Sequence, residues 1–117
     1  MNPLTNLKRI YFIGIGGIGM SALARYFNTQ GVLVSGYDKT PTALTDSLVE
    51  EGISIHFEDD LNQIDKDATV IVYTPAIPAE HKELNYYKDN GYLVVKRSDV
   101  LQWVTENAFT IGIAGTH

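Results

Sequence analysis

Apolar residues along this chain fall into short continuous blocks, separated by stretches with helical spacing. The first block, Ile10 to Ile13, is apolar at every position, as expected of a strand covered on both faces in a parallel sheet. It breaks into glycines at Gly14, Gly16, Gly17 and Gly19, after which apolar residues return as Met20, Leu23, Ala24 and Phe27. That i, i+3, i+4, i+7 spacing predicts one face of a helix. The helix is expected to end near Gln30-Gly31, where glycine can take the left-handed cap conformation.

The same alternation repeats down the chain. Val32 to Asp38 predicts a second strand, and Pro41 after Thr40 suits a helix start, with Leu44, Leu48 and Val49 as its apolar stripe and Gly52 as its stop. Ile53-Ser54-Ile55 reads as a third, short strand. The acidic stretch Glu58-Asp59-Asp60, with Asp65 and Asp67 nearby, reads as a solvated loop with a little helix around Leu61 to Ile64. Thr69 to Tyr73 is a fourth strand, β-branched at its centre. Pro75 and Pro78 forbid its continuation as a central strand. A helix from about Ala79 to Asn90 stops at Gly91, Tyr92 to Val95 forms strand five, and Ser98 serves as the N-cap of a last helix through Val100, Leu101 and Val104. Phe109 to Ala114 is expected to form a sixth strand leading into Gly115-Thr116-His117.

Strands alternating with helices predict an α/β fold with right-handed crossovers. The expected architecture is a Rossmann-like, doubly wound, mostly parallel sheet of five to six strands with helices on both faces. Ligands of such sheets lie at the carboxyl ends of the strands, near the switch in strand order. The candidate loops are therefore Gly14 to Ser21, Asp38 to Thr40, the turn after Ile55, and Thr74 to Pro78.

Composition narrows the chemistry. A chain of 117 residues with 44% hydrophobic and 20% charged residues is ordinary for one globular domain. A net charge of −5 with scattered Lys and Arg argues against nucleic-acid binding, so a phosphate site must work through local geometry. The absence of cysteine excludes disulfides, thiolate metal sites and a cysteine nucleophile. His56, His81 and His117 show no metal-ligand spacing and are assigned no chemistry. No stretch approaches the ~18 apolar residues of a membrane span, and no signal segment opens the chain, so a cytoplasmic protein is expected.

Gly14-Ile15-Gly16-Gly17-Ile18-Gly19 fits G-x-G-x-x-G with a strand before it and a helix after it. Glycines allow a ligand close to the backbone, and the helix start offers unpaired N–H groups and the positive end of the dipole. That suits a phosphate or diphosphate; the plainer reading is tight helix–strand packing. Asp38 ends strand two, where a dinucleotide fold places its ribose-reading acid, and the alternative is a turn aspartate capping Thr40. Thr74 to Pro78 should lie beside the glycine loop, as a phosphate or sugar contact or as a simple proline turn. Lys96-Arg97 could meet an anion or form a solvated charge pair. Tyr86, Tyr87 and Trp103 are expected to pack helices against the sheet. Ala114-Gly115-Thr116-His117 is similar to the opening of a second phosphate loop, which requires a G-K-[ST] continuation. The chain stops before any lysine, so it is expected to be a piece of a longer protein.

Five ordered segments, Gly14 to Ser21, Val34 to Asp38, Thr74 to Pro78, Val95 to Ser98 and Gly112 to His117, together resemble the Mur ligases. The likeness is greatest to those members that join L-alanine to UDP-N-acetylmuramate. The resemblance implies a three-domain cytoplasmic enzyme of peptidoglycan synthesis, in which the N-terminal domain binds the UDP-sugar, the central domain ATP and Mg2+, and the C-terminal domain the amino acid. Residues 1–107 would be the UDP-sugar domain, and 108–117 the first strand and truncated start of the ATP domain. It implies that Gly14, Ile15, Gly16, Gly17, Ile18, Gly19, Met20 and Ser21 hold the diphosphate. Asp38 and Lys39 would lie near the uridine, and Thr74, Pro75, Ala76 and Ile77 would line the sugar-diphosphate side. Gly115, Thr116 and His117 would open the ATP loop. Relatives often read Ser-Ser-Ala-Ile where this chain has Thr74-Pro75-Ala76-Ile77, and many carry a histidine in the loop that here spans Phe57 to Asp60. No catalytic or metal-ligating residue is expected in these 117 residues, and the piece alone is expected to be inactive. The competing reading is an NAD(P)-binding domain of a dehydrogenase or regulatory sensor, which the glycine loop and Asp38 suit equally. A pure interaction domain would leave the glycine loop without a purpose.

Overall fold

The computed structural model describes residues 3–115, with side chains described through residue 106. Its elements are β1 (Arg9–Ile13), α1 (Ile18–Thr29), β2 (Leu33–Tyr37), α2 (Ala43–Glu50), β3 (Ser54–His56), β4 (Val70–Tyr73), α3 (Lys82–Asp89), β5 (Leu93–Lys96) and α4 (Arg97–Gly115). The five strands form one sheet in the order β3-β2-β1-β4-β5. Every pairing is parallel, with Ile13 opposite both Tyr37 and Tyr73. After β3 the chain crosses back to lay β4 on the free side of β1. The switch in strand order therefore falls between β1 and β4, where a doubly wound sheet opens a crevice.

Successive residues of β1 face opposite sides of the sheet, and both sides are covered. Ile10 and Phe12 pack with Leu23 and Phe27 of α1, Leu48 of α2 and Val100 of α4. Tyr11 and Ile13 pack on the other side with Leu84 and Tyr87 of α3 and Ala68 of the preceding loop. This two-sided burial explains why β1 is apolar from Ile10 to Ile13. Tyr87 and Trp103 pack as expected. The Tyr87 ring lies 5.3 Å from Tyr11, and its hydroxyl donates to the Asp65 carbonyl at 2.8 Å. The long connection before β4 is tied down further by Arg9, whose Nε and Nη2 donate to the two Asp65 oxygens, both at 3.0 Å.

Three expectations are corrected. Leu61 to Ile64 is a turn, not a helix: Asp60 accepts from the Asn62 N–H at 2.9 Å and the Gln63 N–H closes on the Asp60 carbonyl at 3.1 Å, an aspartate turn that competes with helical bonding. Ser98 is not an N-cap. α4 begins at Arg97 directly after β5, and Asp99 reaches back to accept the Lys96 N–H at 3.2 Å. The expected sixth strand, Phe109 to Ala114, is instead the continuation of α4 to Gly115. A short apolar run satisfies either period. The described sheet ends at β5, and the helix pairs its own backbone groups.

Candidate functional site

At the end of β1, Gly14 turns the chain with φ +93°, a conformation that L side chains rarely adopt. The Gly14 and Ile15 N–H groups both donate to the Tyr37 carbonyl, at 2.7 and 3.0 Å, so the loop hangs from the end of β2. The Gly17 N–H closes on the Gly14 carbonyl at 3.2 Å. Asp38 takes its anticipated turn role and a second one that the sequence did not suggest. Oδ1 accepts from the Thr40 N–H at 3.0 Å, capping the turn, while Oδ2 accepts from the Gly16 N–H at 2.7 Å and latches the glycine loop. Gly16 has no room for a side chain, since a Cβ there would lie 2.7 Å from Asp38 Oδ2 and 2.9 Å from Thr45 Cγ2.

α1 starts from Gly17 with no side-chain cap and no acidic residue in its first turn. The N–H groups of Ile18, Gly19 and Met20 have no hydrogen-bond partner among the described residues, because the first turn of a helix has no intrahelical acceptor for them. They point the positive end of the dipole outward. Ser21 donates its hydroxyl to the Ile18 carbonyl at 2.9 Å.

A cleft of about 680 Å³ opens beside this loop, within the size range of ordinary ligand pockets. Of the sequence-derived candidates, Gly14, Gly16, Gly17, Asp38, Lys39, Thr74, Ala76 and Ile77 line it. The turn after β4, closed by the Ile77 N–H on the Thr74 carbonyl at 3.1 Å, forms one wall, and a Cβ on Gly14 would lie 3.4 Å from Ile77 Cδ1 and 3.7 Å from Thr74 Oγ1. The other candidates lie off the lining. Ile15 and Met20 are in the core, Ser21 is buried, Ile18 is 86% exposed, and Pro75 is not part of the cleft wall. Gly19 faces Arg97, whose guanidinium would be 3.0 Å from a Cβ there. Arg97 is thereby placed beside the first turn of α1. Gly115 is the last residue of α4, and Thr116 and His117 lie outside the described residues.

The far end of the cleft is built mostly by residues to which the sequence assigned no ligand contact. Tyr37, Asp59, Pro78, Glu80 and His81 line it. Here α3 begins, and its first N–H groups are all taken: Lys82 and Glu83 donate to Asp59 at 2.8 and 3.0 Å, and Leu84 donates to His81 Nδ1 at 3.3 Å. Beneath it Glu83, fully buried, accepts from the Tyr11 hydroxyl at 2.6 Å and the Asp60 N–H at 3.1 Å, and pairs with His56 Nε2 at 2.7 Å. Burial, reinforced by the Glu83 carboxylate, pushes the Tyr11 phenol far above the ordinary range. Burial, then the Asp59 charge, raises Tyr37 as well. Glu83 escaped notice because its partners Tyr11, His56 and Asp60 are remote in sequence, and His81 was assigned no chemistry. The only local signal was the position of His81 between Pro78 and a helical stripe, where N-caps fall.

Among the described residues no group of three His, Cys, Asp or Glu could hold a metal ion, and no helix is long and apolar enough to cross a membrane. Open N–H donors thus lie beside one end of the cleft, and a closed, carboxylate-rich helix start forms the other.

A family model described as the catalytic domain of the Mur ligase family matches residues 9–108. The UDP-N-acetylmuramate–L-alanine ligase of Porphyromonas gingivalis strain W83 is 56% identical over 116 residues, covering 95% of this chain and 25% of that protein. The enzyme of the same name from Flavobacterium johnsoniae is 51% identical over 118 residues, covering 97% of this chain and 26% of that protein. Among solved structures, UDP-N-acetylmuramate-alanine ligase MurC from Thermotoga maritima superposes with a TM-score of 0.80 at 28% identity, over 86% of this chain and 23% of that one. The chain thus spans about a quarter of the length of the curated relatives it matches.

Proposed function

Because the chain belongs to the Mur ligase family, we propose that its cleft binds UDP-N-acetylmuramate and that the chain serves as the substrate-holding N-terminal domain of a cytoplasmic ligase that adds L-alanine to that sugar. The domain covers residues 1–107, and residues 108–117 lead into an ATP-binding domain. The observation that carries this reading is the open start of α1, where the Ile18, Gly19 and Met20 N–H groups await an anion in a protein whose net charge is −5. A diphosphate matches that donor set without any basic field. Thr74 and Ile77 flank Gly14 and suit the sugar side. Asp38, engaged by two backbone N–H groups, acts mainly on the shape of the loop.

In the whole enzyme so proposed, ATP transfers its γ-phosphoryl group to the muramate carboxylate, releasing ADP, and the alanine amine then displaces phosphate from the acyl carbon. The 117 residues contain no G-K-[ST] sequence to grip nucleotide phosphates and magnesium. The role of this chain is to bind and orient. Calorimetry or melting shifts with UDP-N-acetylmuramate, UDP and NADH, run side by side on this chain, test the reading: binding of both uridine ligands and not NADH is expected, and the reverse overturns it. Alanine-dependent ATP hydrolysis by the 117 residues would contradict the division of labour.

A further inference from the structure

The end of the cleft away from the glycine loop holds a buried hydrogen-bond donor without an acceptor. His81 is 7% exposed, and its Nδ1 accepts the Leu84 N–H at 3.3 Å. A ring nitrogen that accepts carries no proton, so the proton of the neutral imidazole sits on Nε2. Nε2 is buried and has no hydrogen-bond partner among the described residues. Buried polar groups are matched as a rule, and an exception at a ligand cleft points to a partner supplied from outside the chain. The ring packs against Tyr37, with centroids 4.8 Å apart and planes at 59°, and both side chains line the cleft.

The two helix starts at this cleft differ in what they can receive. α1 presents three open N–H groups. α3 has its first three taken by Asp59 and His81, with Glu80 also on the lining. An anion is therefore drawn to the first and turned away from the second, where an uncharged group with an acceptor atom belongs. On the reading that the cleft takes a uridine diphosphate, this fixes the direction in which the ligand lies. We propose that His81 Nε2–H donates to the C4 carbonyl oxygen of the base, where cytosine carries an amino donor, so that His81 is the residue that selects a keto pyrimidine, while the diphosphate sits at α1.

The test uses His81→Asn in this chain. Asparagine keeps an oxygen able to accept the Leu84 N–H, as N-cap side chains do, and removes the Nε2 donor, so capping and ligand recognition are separated. UDP affinity by calorimetry is expected to fall about tenfold, the size of one lost neutral hydrogen bond. Pyrophosphate binding, followed by amide NMR titration, and the melting temperature should stay unchanged. In wild-type chain labelled with 15N-histidine, the His81 Nε2 resonance should move on addition of UDP and stay in place with pyrophosphate. UDP affinity unaltered in the variant, UDP and pyrophosphate weakened together, or an unmoved Nε2 resonance would each overturn the assignment to His81 while leaving the uridine reading intact. A wild-type chain that binds neither UDP nor pyrophosphate would overturn both.

Discussion

Replacing Gly16 by alanine tests whether the Asp38 latch shapes the glycine loop. The added Cβ would sit 2.7 Å from Asp38 Oδ2 and 2.9 Å from Thr45 Cγ2. Thr45 cannot retreat: it is fully buried, and its hydroxyl accepts from the Thr42 N–H at 2.8 Å and donates to the Thr42 carbonyl at 2.9 Å in the capping box of α2. The Asp38 carboxylate must therefore move, breaking its 2.7 Å bond to the Gly16 N–H. A hydrogen bond to a charged group contributes about 1.5–3 kcal/mol, and the entropy lost by the unfolded chain when glycine becomes alanine offsets about 0.4–1 kcal/mol of that. The net loss is about 1–2 kcal/mol, or a melting temperature lower by roughly 4–8 °C for a domain of this size. Gly17→Ala is the matched control, because its Cβ would meet nothing closer than the Gly14 carbonyl at 3.6 Å. Differential scanning calorimetry should show Gly16→Ala destabilised and Gly17→Ala near wild type. Titration with UDP should show both weakened, Gly16→Ala because the loop loses its latch and Gly17→Ala because its methyl group intrudes where a phosphate approaches the backbone. A Gly16→Ala protein melting within about 1 °C of wild type would refute the latch, and a Gly17→Ala protein binding UDP normally would refute the phosphate at this loop.

Three further outcomes are expected. Gly36→Ala should destabilise by about 3 kcal/mol or more, read from the urea midpoint, because its Cβ would lie 2.5 Å from the Phe12 carbonyl and 2.9 Å from Ile15 Cδ1. Glu83→Gln should cost about 3 kcal/mol in the same assay, as an amide cannot accept every bond that the buried carboxylate now takes from Tyr11, His56 and Asp60. Stability should fall steeply in alkali. Burial raises the phenols of Tyr11 and Tyr87 far above the unfolded value near 10. The unfolded chain therefore loses these protons first, and each phenol removes about 1.4 kcal/mol per pH unit above that value. Denaturation at pH 9 to 11, with phenolate absorbance as the second signal, should show a shallower decline for Tyr11→Phe; equal slopes would contradict the burial argument.

The strand-loop-helix unit was legible because its signal is local: an apolar run, glycines at fixed offsets, then one helical face. The doubly wound parallel architecture was legible too, since alternating strands and helices leave few topologies. The run at Phe109 to Ala114 misled because apolar, β-branched residues fit strand and helix alike, and the decision rests on neighbours that no local pattern reveals. The base end of the cleft was illegible for a related reason. His56 and Glu83 are 27 positions apart and Tyr11 and Glu83 are 72 apart, so their meeting is a product of the sheet. Asp38 was read as a ribose or turn residue, and its bond to Gly16, 22 positions away, could be seen only once β1 and β2 lay side by side.

β1 carries the glycine loop at its end and, two residues earlier, grips the first turn of α3 through Tyr11 and Glu83. Both ends of the cleft are thus mounted on one strand, buried from Ile10 to Ile13, which acts as a fixed gauge of their separation. A ligand that must touch both ends is measured against a length that thermal motion of the surface loops does not alter. A ligand too short to span it gives up one set of contacts, so the strand's rigidity is itself a source of selectivity.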